Sequence, residues 1–121
     1  MPIYFDFDRY NIRQDAAVEL AKILVAMQEY PELIINIESH TDQRGTAEYN
    51  TILSSKRAAA TRAWLIENGI APERLSSKGF GESQPLVDCS KGNCTEEEHQ
   101  LNRRSDFLIQ QSFLARLSLK A

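Results

Sequence analysis

The chain has 121 residues, 42% of them hydrophobic and 26% charged, with few glycines and prolines. That is the make-up of one compact globular domain, residues 1–121 with a core over about 3–110 and a tail from 111, and it excludes a disordered or fibrous chain. The net charge of −3 comes from 14 basic and 17 acidic side chains that are interspersed, so no basic block neutralises nucleic-acid phosphates, and no apolar run approaches the roughly 20 residues that span a bilayer. Neither nucleic acid nor direct membrane contact is expected of this domain.

In chain order, Ile3 to Phe7 reads as a short strand and Tyr10 to Arg13 as a turn, with Asn11 as a cap. From Gln14 to Glu29, Ala17, Leu20, Leu24 and Met27 recur at helical spacing, with Ala16 and Ile23 beside them, and Pro31 ends the helix. Leu33 to Ser39 alternates: Leu33, Ile35 and Ile37 share one face, Asn36 and Glu38 the other. A polar loop, His40 to Gly45, leads to Thr46, which caps a long helix to about Asn68, and Gly69 stands where a helix C-terminus needs a left-handed residue. Leu75 to Gly79 is a third strand. Thr95 with Glu98 forms a capping box that opens a shorter helix, and Asp106 to Gln110 is a last strand with Phe107 and Ile109 on one face. Residues 112–121 extend that strand, form a short helix or hang free.

The order β-α-β-α-β-α-β, with at least one strand that has a polar face, points to an α/β two-layer sandwich. Helices pack on one face of a single mixed sheet. Trp64 and the alanines around it (Ala58, Ala59, Ala60 and Ala63) read as close helix packing rather than a carbohydrate platform.

Met1-Pro2-Ile3-Tyr4 lacks the basic and apolar regions of an export signal. Taken alone this favours the cytoplasm; the alternative is a piece excised from a longer exported protein. The two cysteines bear on the choice. Cys89 and Cys94 have C-x4-C spacing, which suits a disulfide across a short polar loop and so an oxidising compartment. Two free thiols or a metal site are the other readings, but zinc would need four ligands, and the only histidines are His40 and His99.

The most unusual stretch runs from Ser39 to Thr46, after a strand and at the opening of a helix, a common place for ligands in α/β folds. Asn50, Ser54 and Arg57 follow at i, i+4, i+7 and form one stripe. Asp42 and Arg57 can then bound a small polar site. The carboxylate suits an ammonium, and the guanidinium suits a carboxylate. The ligand that needs both is a zwitterion on one carbon. A plain ion pair between the two, or two solvated charges, is the alternative.

These residues also resemble a known family. Tyr4-Phe5-Asp6-Phe7-Asp8, the run His40-Thr41-Asp42 with Arg44-Gly45-Thr46, Tyr49-Asn50, Leu53-Ser54 and Arg57-Ala58, then Gly79-Phe80-Gly81-Glu82 and Asn102-Arg103-Arg104, stand in the order and spacing of OmpA-like peptidoglycan-binding domains. The resemblance spans about residues 3 to 110, and the two-cysteine loop is similar to that of a subset of the family. It implies a ligand, the diaminopimelate residue of the peptidoglycan stem peptide. Asp42 would take its ammonium and Arg57 its carboxylate. Thr41 and Asn50 would support the site, the Asp6 backbone would line it, and Arg104 would be the nearby basic residue, with Arg103 as second choice. It also implies a setting: the periplasm of a Gram-negative bacterium, in a module that ties an outer-membrane protein or lipoprotein to the wall. No cofactor, metal or catalytic activity is expected. The alternative is the same fold used as an interaction module for envelope proteins. A hydrolase built on Ser39, His40 and Asp42 is disfavoured because a triad draws on separate segments; in an extended run His40 and Asp42 share a face and Ser39 points elsewhere.

Overall fold

The structure, a computed structural model, describes residues 2–111. The segment 112–121, expected to extend the last strand, form a short helix or hang free, lies outside them. The elements run β1 (Ile3–Tyr4), α1 (Gln14–Glu29), β2 (Leu33–Ser39), α2 (Ala47–Glu67), a 3-10 turn (Pro72–Arg74), β3 (Leu75–Gly79), α3 (Glu96–Asn102) and β4 (Arg104–Gln111). The strands form one sheet in the order β1-β4-β2-β3. β2 pairs parallel with β3 and antiparallel with β4, and β1 pairs antiparallel with β4. This is the mixed α+β sheet that the alternation of elements predicts.

The core fills the space between the sheet and the two long helices. Ile35 and Ile37 of β2 and Leu75 of β3 meet Ala16, Leu20 and Met27 of α1 and Leu65 of α2. Asn36 and Glu38 point to the other, half-exposed face, as period-2 alternation requires. Trp64 packs against this core and Ala58 is buried, but Ala59 and Ala63 face solvent, so only part of the alanine-rich stretch packs. Phe107 also packs on the core, whereas Ile109 beyond it is exposed.

Three boundaries differ from the sequence reading. The cap of α1 is Arg13, not Asn11, and it makes no side-chain capping bond; Asp15 in the first turn accepts the Ala16 N–H instead, at 2.9 Å. β4 starts two residues earlier than expected, because Arg104 and Ser105 pair with Tyr4 and Ile3. β1 is shorter. Phe5 still donates its N–H to the Arg103 carbonyl (2.9 Å), but the chain then leaves the sheet and turns at Asp8, whose φ is +59°, a left-handed conformation that aspartate tolerates better than most residues. That departure brings Phe7 and Asp8 over the start of α2.

Thr46 caps α2, its hydroxyl accepting the Tyr49 N–H at 3.2 Å, and Gly69 beyond its end has φ +105°. The N-terminal half of α2 buries three polar side chains, Asn50, Ser54 and Arg57, beside the aliphatic Leu53. It lies close against the end of β3. A Cβ on Gly79 would overlap the Ser55 backbone nitrogen and lie 2.5 Å from Ser54 Oγ. Next to it, Ser54 Oγ accepts the Gly81 N–H (2.8 Å), and the Gly81 carbonyl accepts the Thr41 N–H (2.9 Å). Gly79→Ala is therefore expected to destabilise the fold by about 1–3 kcal/mol through overpacking against helix backbone. Urea denaturation reads this as a lower midpoint at unchanged slope; an unchanged midpoint would show that α2 and β3 separate freely.

Candidate functional site

The loop between β2 and α2 is held by its own aspartate. Asp42 Oδ1 accepts the Arg44 N–H at 3.0 Å, an aspartate turn that reverses the chain. Asp42 Oδ2 accepts from Arg44 Nη2 at 2.8 Å and from Arg103 Nη1 at 3.2 Å. Asn50 closes the loop from α2, donating Nδ2 to the Arg44 carbonyl (2.9 Å) and to Glu82 Oε1 (3.1 Å). Burial alone would raise the Asp42 pKa. The hydrogen bonds from the Arg44 side chain and backbone and from Arg103 outweigh it and hold the carboxyl below its ordinary value.

Arg57 is fully buried. Its guanidinium donates to three backbone carbonyls from two separate segments: Nε to Arg9 (2.8 Å), Nη1 to His40 (3.0 Å) and Nη2 to Asp6 (3.1 Å). Among the described residues no carboxylate lies within ion-pair distance of it. Burial first, and then the charge of nearby Arg103, lowers its pKa to about 10, so it is cationic at neutral pH. Two solvated charges are therefore not what the fold presents: Asp42 is 4% exposed and Arg57 0%. Nor do the two bond to each other, so a plain ion pair between them is not what the fold builds.

Asp42 and Arg57 line one cavity of about 90 Å³. Thr41 and Asn50 line it too, and the Thr41 hydroxyl is buried with no hydrogen-bond partner. Phe7, Asp8 and Tyr49 form its exposed rim, where the Tyr49 hydroxyl bonds the Asp8 carboxylate and Arg44 lies 4.5 Å from the centre of the Phe7 ring. A larger hollow, about 450 Å³, lies between β1 and α1, but its lysine, Lys22, is already paired with Glu19. The smaller cavity is well under the 300 Å³ or so of a drug-sized site. It suits a head group.

The other expected residues divide. Asp6 does not line the cavity; its carbonyl is one of the three Arg57 acceptors, and its neighbours Phe7 and Asp8 form part of the rim. Arg104 turns away, to Asp106 (3.1 Å) and the Gln84 carbonyl (3.0 Å), and Arg103 is the arginine that reaches Asp42. Strand alternation explains the reversal, since Arg103 has the parity of Ser105 and core-facing Phe107 while Arg104 has that of Asp106. That parity is visible in the sequence. Phe7, Asp8, Tyr49 and Arg44 also stand in the family motif, but nothing in their spacing marks them as the lining of the site.

Ser39, His40 and Asp42 do not converge. Ser39 bonds Ser105, His40 stacks on Phe80 with Nε2 3.5 Å from Asp106, and Asp42 holds the two arginines. His40 and Asp42 thus meet different partners, and neither reaches Ser39. Cys89 and Cys94 are joined by a disulfide, and their loop is pinned beside the site. Asn102 Oδ1 accepts the Leu86 and Val87 N–H groups (2.8 and 3.0 Å), and Gln43 accepts the Cys89 N–H.

Known proteins match this chain closely. The peptidoglycan-associated lipoprotein of Brucella melitensis is 40% identical over 103 residues, 85% of this chain and 59% of that relative. Outer membrane porin F of Pseudomonas aeruginosa is 35% identical over 86% of the chain and 29% of its own length. The chain thus spans less than two thirds of the length of these curated relatives. Among solved structures, the peptidoglycan-associated lipoprotein of Burkholderia pseudomallei superposes with a TM-score of 0.82 at 31% identity, covering 90% of this chain and 89% of that one. The C-terminal domain of Helicobacter pylori MotB shares the fold, with a TM-score of 0.81 at 21% identity over 99% of this chain and 92% of that one. The OmpA family description matches residues 4–99, and the chain belongs to that family.

Proposed function

We propose that this domain binds peptidoglycan without altering it, gripping the diaminopimelate residue of the stem peptide in the cavity between Asp42 and Arg57. One observation carries the reading: a buried guanidinium with no carboxylate partner among the described residues lines a head-group-sized cavity whose wall also holds a buried carboxylate. A buried charge without a counter-ion is costly, and a ligand carboxylate supplies one. The diaminopimelate side chain ends in an ammonium and a carboxylate on one carbon, so it presents both charges at once. The Thr41 hydroxyl, buried without a partner on the same wall, is a further donor or acceptor for it.

Two relatives carry the name peptidoglycan-associated lipoprotein, which supports a wall ligand. On this reading the domain works in the periplasm of a Gram-negative bacterium and anchors the outer membrane to the wall as part of a larger envelope protein.

Titration calorimetry with a diaminopimelate-containing stem peptide tests the proposal. The same peptide with lysine in that position keeps the ammonium and lacks the side-chain carboxylate, and it is expected to bind at least about tenfold more weakly. No heat from the diaminopimelate peptide, with the protein shown to be folded, would overturn the reading in favour of an envelope protein partner. Release of soluble fragments from purified wall would overturn its non-catalytic part.

A further inference from the structure

Asp42 sits in a closed ring of charges. Arg44 and Arg103 each contact Asp42, at 2.8 and 3.2 Å, and each also contacts Glu96, at 3.3 and 2.9 Å. Glu96 is the first residue of α3, two positions beyond Cys94. The ring therefore links the site to the disulfide-closed loop.

The two arginines are held differently. Arg103 is 3% exposed, and all three of its nitrogens are engaged: Nε with the Phe5 carbonyl (2.9 Å), Nη1 with Asp42 and Nη2 with Gln100 Oε1 (3.0 Å) as well as Glu96. Arg44 has a side chain 38% exposed at the cavity mouth, and its Nε has no partner. One arginine is a fixture of the core. The other is attached to the same carboxylate from the solvent side.

From this we infer that Arg44 is an internal, displaceable cation: it occupies Asp42 until a ligand ammonium replaces it, and Glu96 is the positioning residue that receives it. The inference rests on the reading that Asp42 takes an ammonium. Arg44 already bonds Glu96 and already lies against the Phe7 ring, so it can release Asp42 without losing every partner. An apparent affinity is reduced by the fraction of molecules whose site is closed by such a competitor. Glu96 lowers that fraction by drawing Arg44 outward.

The test is a set of stem-peptide titrations on the wild type, Arg44→Ala, Glu96→Gln and the double variant. Arg44→Ala is expected to bind about threefold or more tightly, because the competitor is gone. Glu96→Gln is expected to bind about threefold or more weakly, and that loss is expected to vanish in the Arg44→Ala background. Weaker binding by Arg44→Ala would show that Arg44 contacts the ligand itself and would overturn the inference. A Glu96→Gln effect of full size in the double variant would overturn it as well, since Glu96 would then act through Arg103.

A ligand-free measurement separates this failure from failure of the proposed function. Side-chain relaxation at the Nε–H groups is expected to show Arg44 mobile on the nanosecond scale and Arg103 rigid. Equal rigidity would overturn the inference whether or not the wild type binds wall peptide.

Discussion

Arg57→Ala is expected to lose about 3–5 kcal/mol of folding stability, the scale of emptying a large buried site and stripping buried carbonyls of their donor. The reason is visible in its acceptors. The carbonyls of Asp6 and Arg9 lie on the segment after β1, and that of His40 lies at the end of β2. One guanidinium from α2 ties both to the helix, and its ring-facing side lies 5.1 Å from the centre of the buried Phe5 ring. Alanine leaves three carbonyls without their donor and opens a hole where the largest fully buried side chain stood. Arg57→Lys keeps the charge but not the planar fork, so it should recover only part of the loss. Chemical denaturation checks the series. If Arg57→Ala unfolds within about 0.5 kcal/mol of the wild type, the three carbonyls are satisfied by water and Arg57 serves the ligand alone.

The order and type of the elements were legible because they rest on period: apolar residues three and four apart in α1, alternation in β2, and the capping pattern of Thr95 and Glu98. What escaped was the burial of Arg57. A charged residue on a helix is read as solvated, because charges are seldom fully buried unless paired, and partners that are backbone carbonyls leave no trace in side-chain identity. The shortening of β1 escaped for a related reason. Phe5 to Asp8 alternates like a strand, but the chain turns left-handed at Asp8, whose carboxylate meets the Tyr49 hydroxyl 41 positions along the chain. The choice between Arg103 and Arg104 was open to a parity argument from Phe107. The ring through Glu96 was not, since it joins a loop, a helix start and a strand entry that only the fold brings together.

Asp42→Asn should separate binding from folding where Arg57→Ala does not. The amide oxygen can still accept the Arg44 N–H, and Arg103 keeps Glu96, Gln100 and the Phe5 carbonyl. Stability is therefore expected to fall by only about 1.5–3 kcal/mol, the scale of hydrogen bonds to a charged group. Stem-peptide affinity is expected to fall at least about tenfold, because truncating one member of a desolvated charge pair costs about 2–5 kcal/mol. The pH dependence follows from the same carboxylate. Its pKa in the folded protein is held below the ordinary 3.8, so its contribution to stability is complete above the unfolded value and is lost only as pH falls through the lower, folded one. Binding by the wild type should then be level from pH 7 to about pH 5 and weaken only below about pH 4. Calorimetry across that range, on the wild type and Asp42→Asn, decides the matter. A decline centred between pH 6 and 7 would assign the anionic pole of the site to a group governed by histidine rather than to Asp42, and an Asp42→Asn variant that binds as well as the wild type would remove Asp42 from the site altogether.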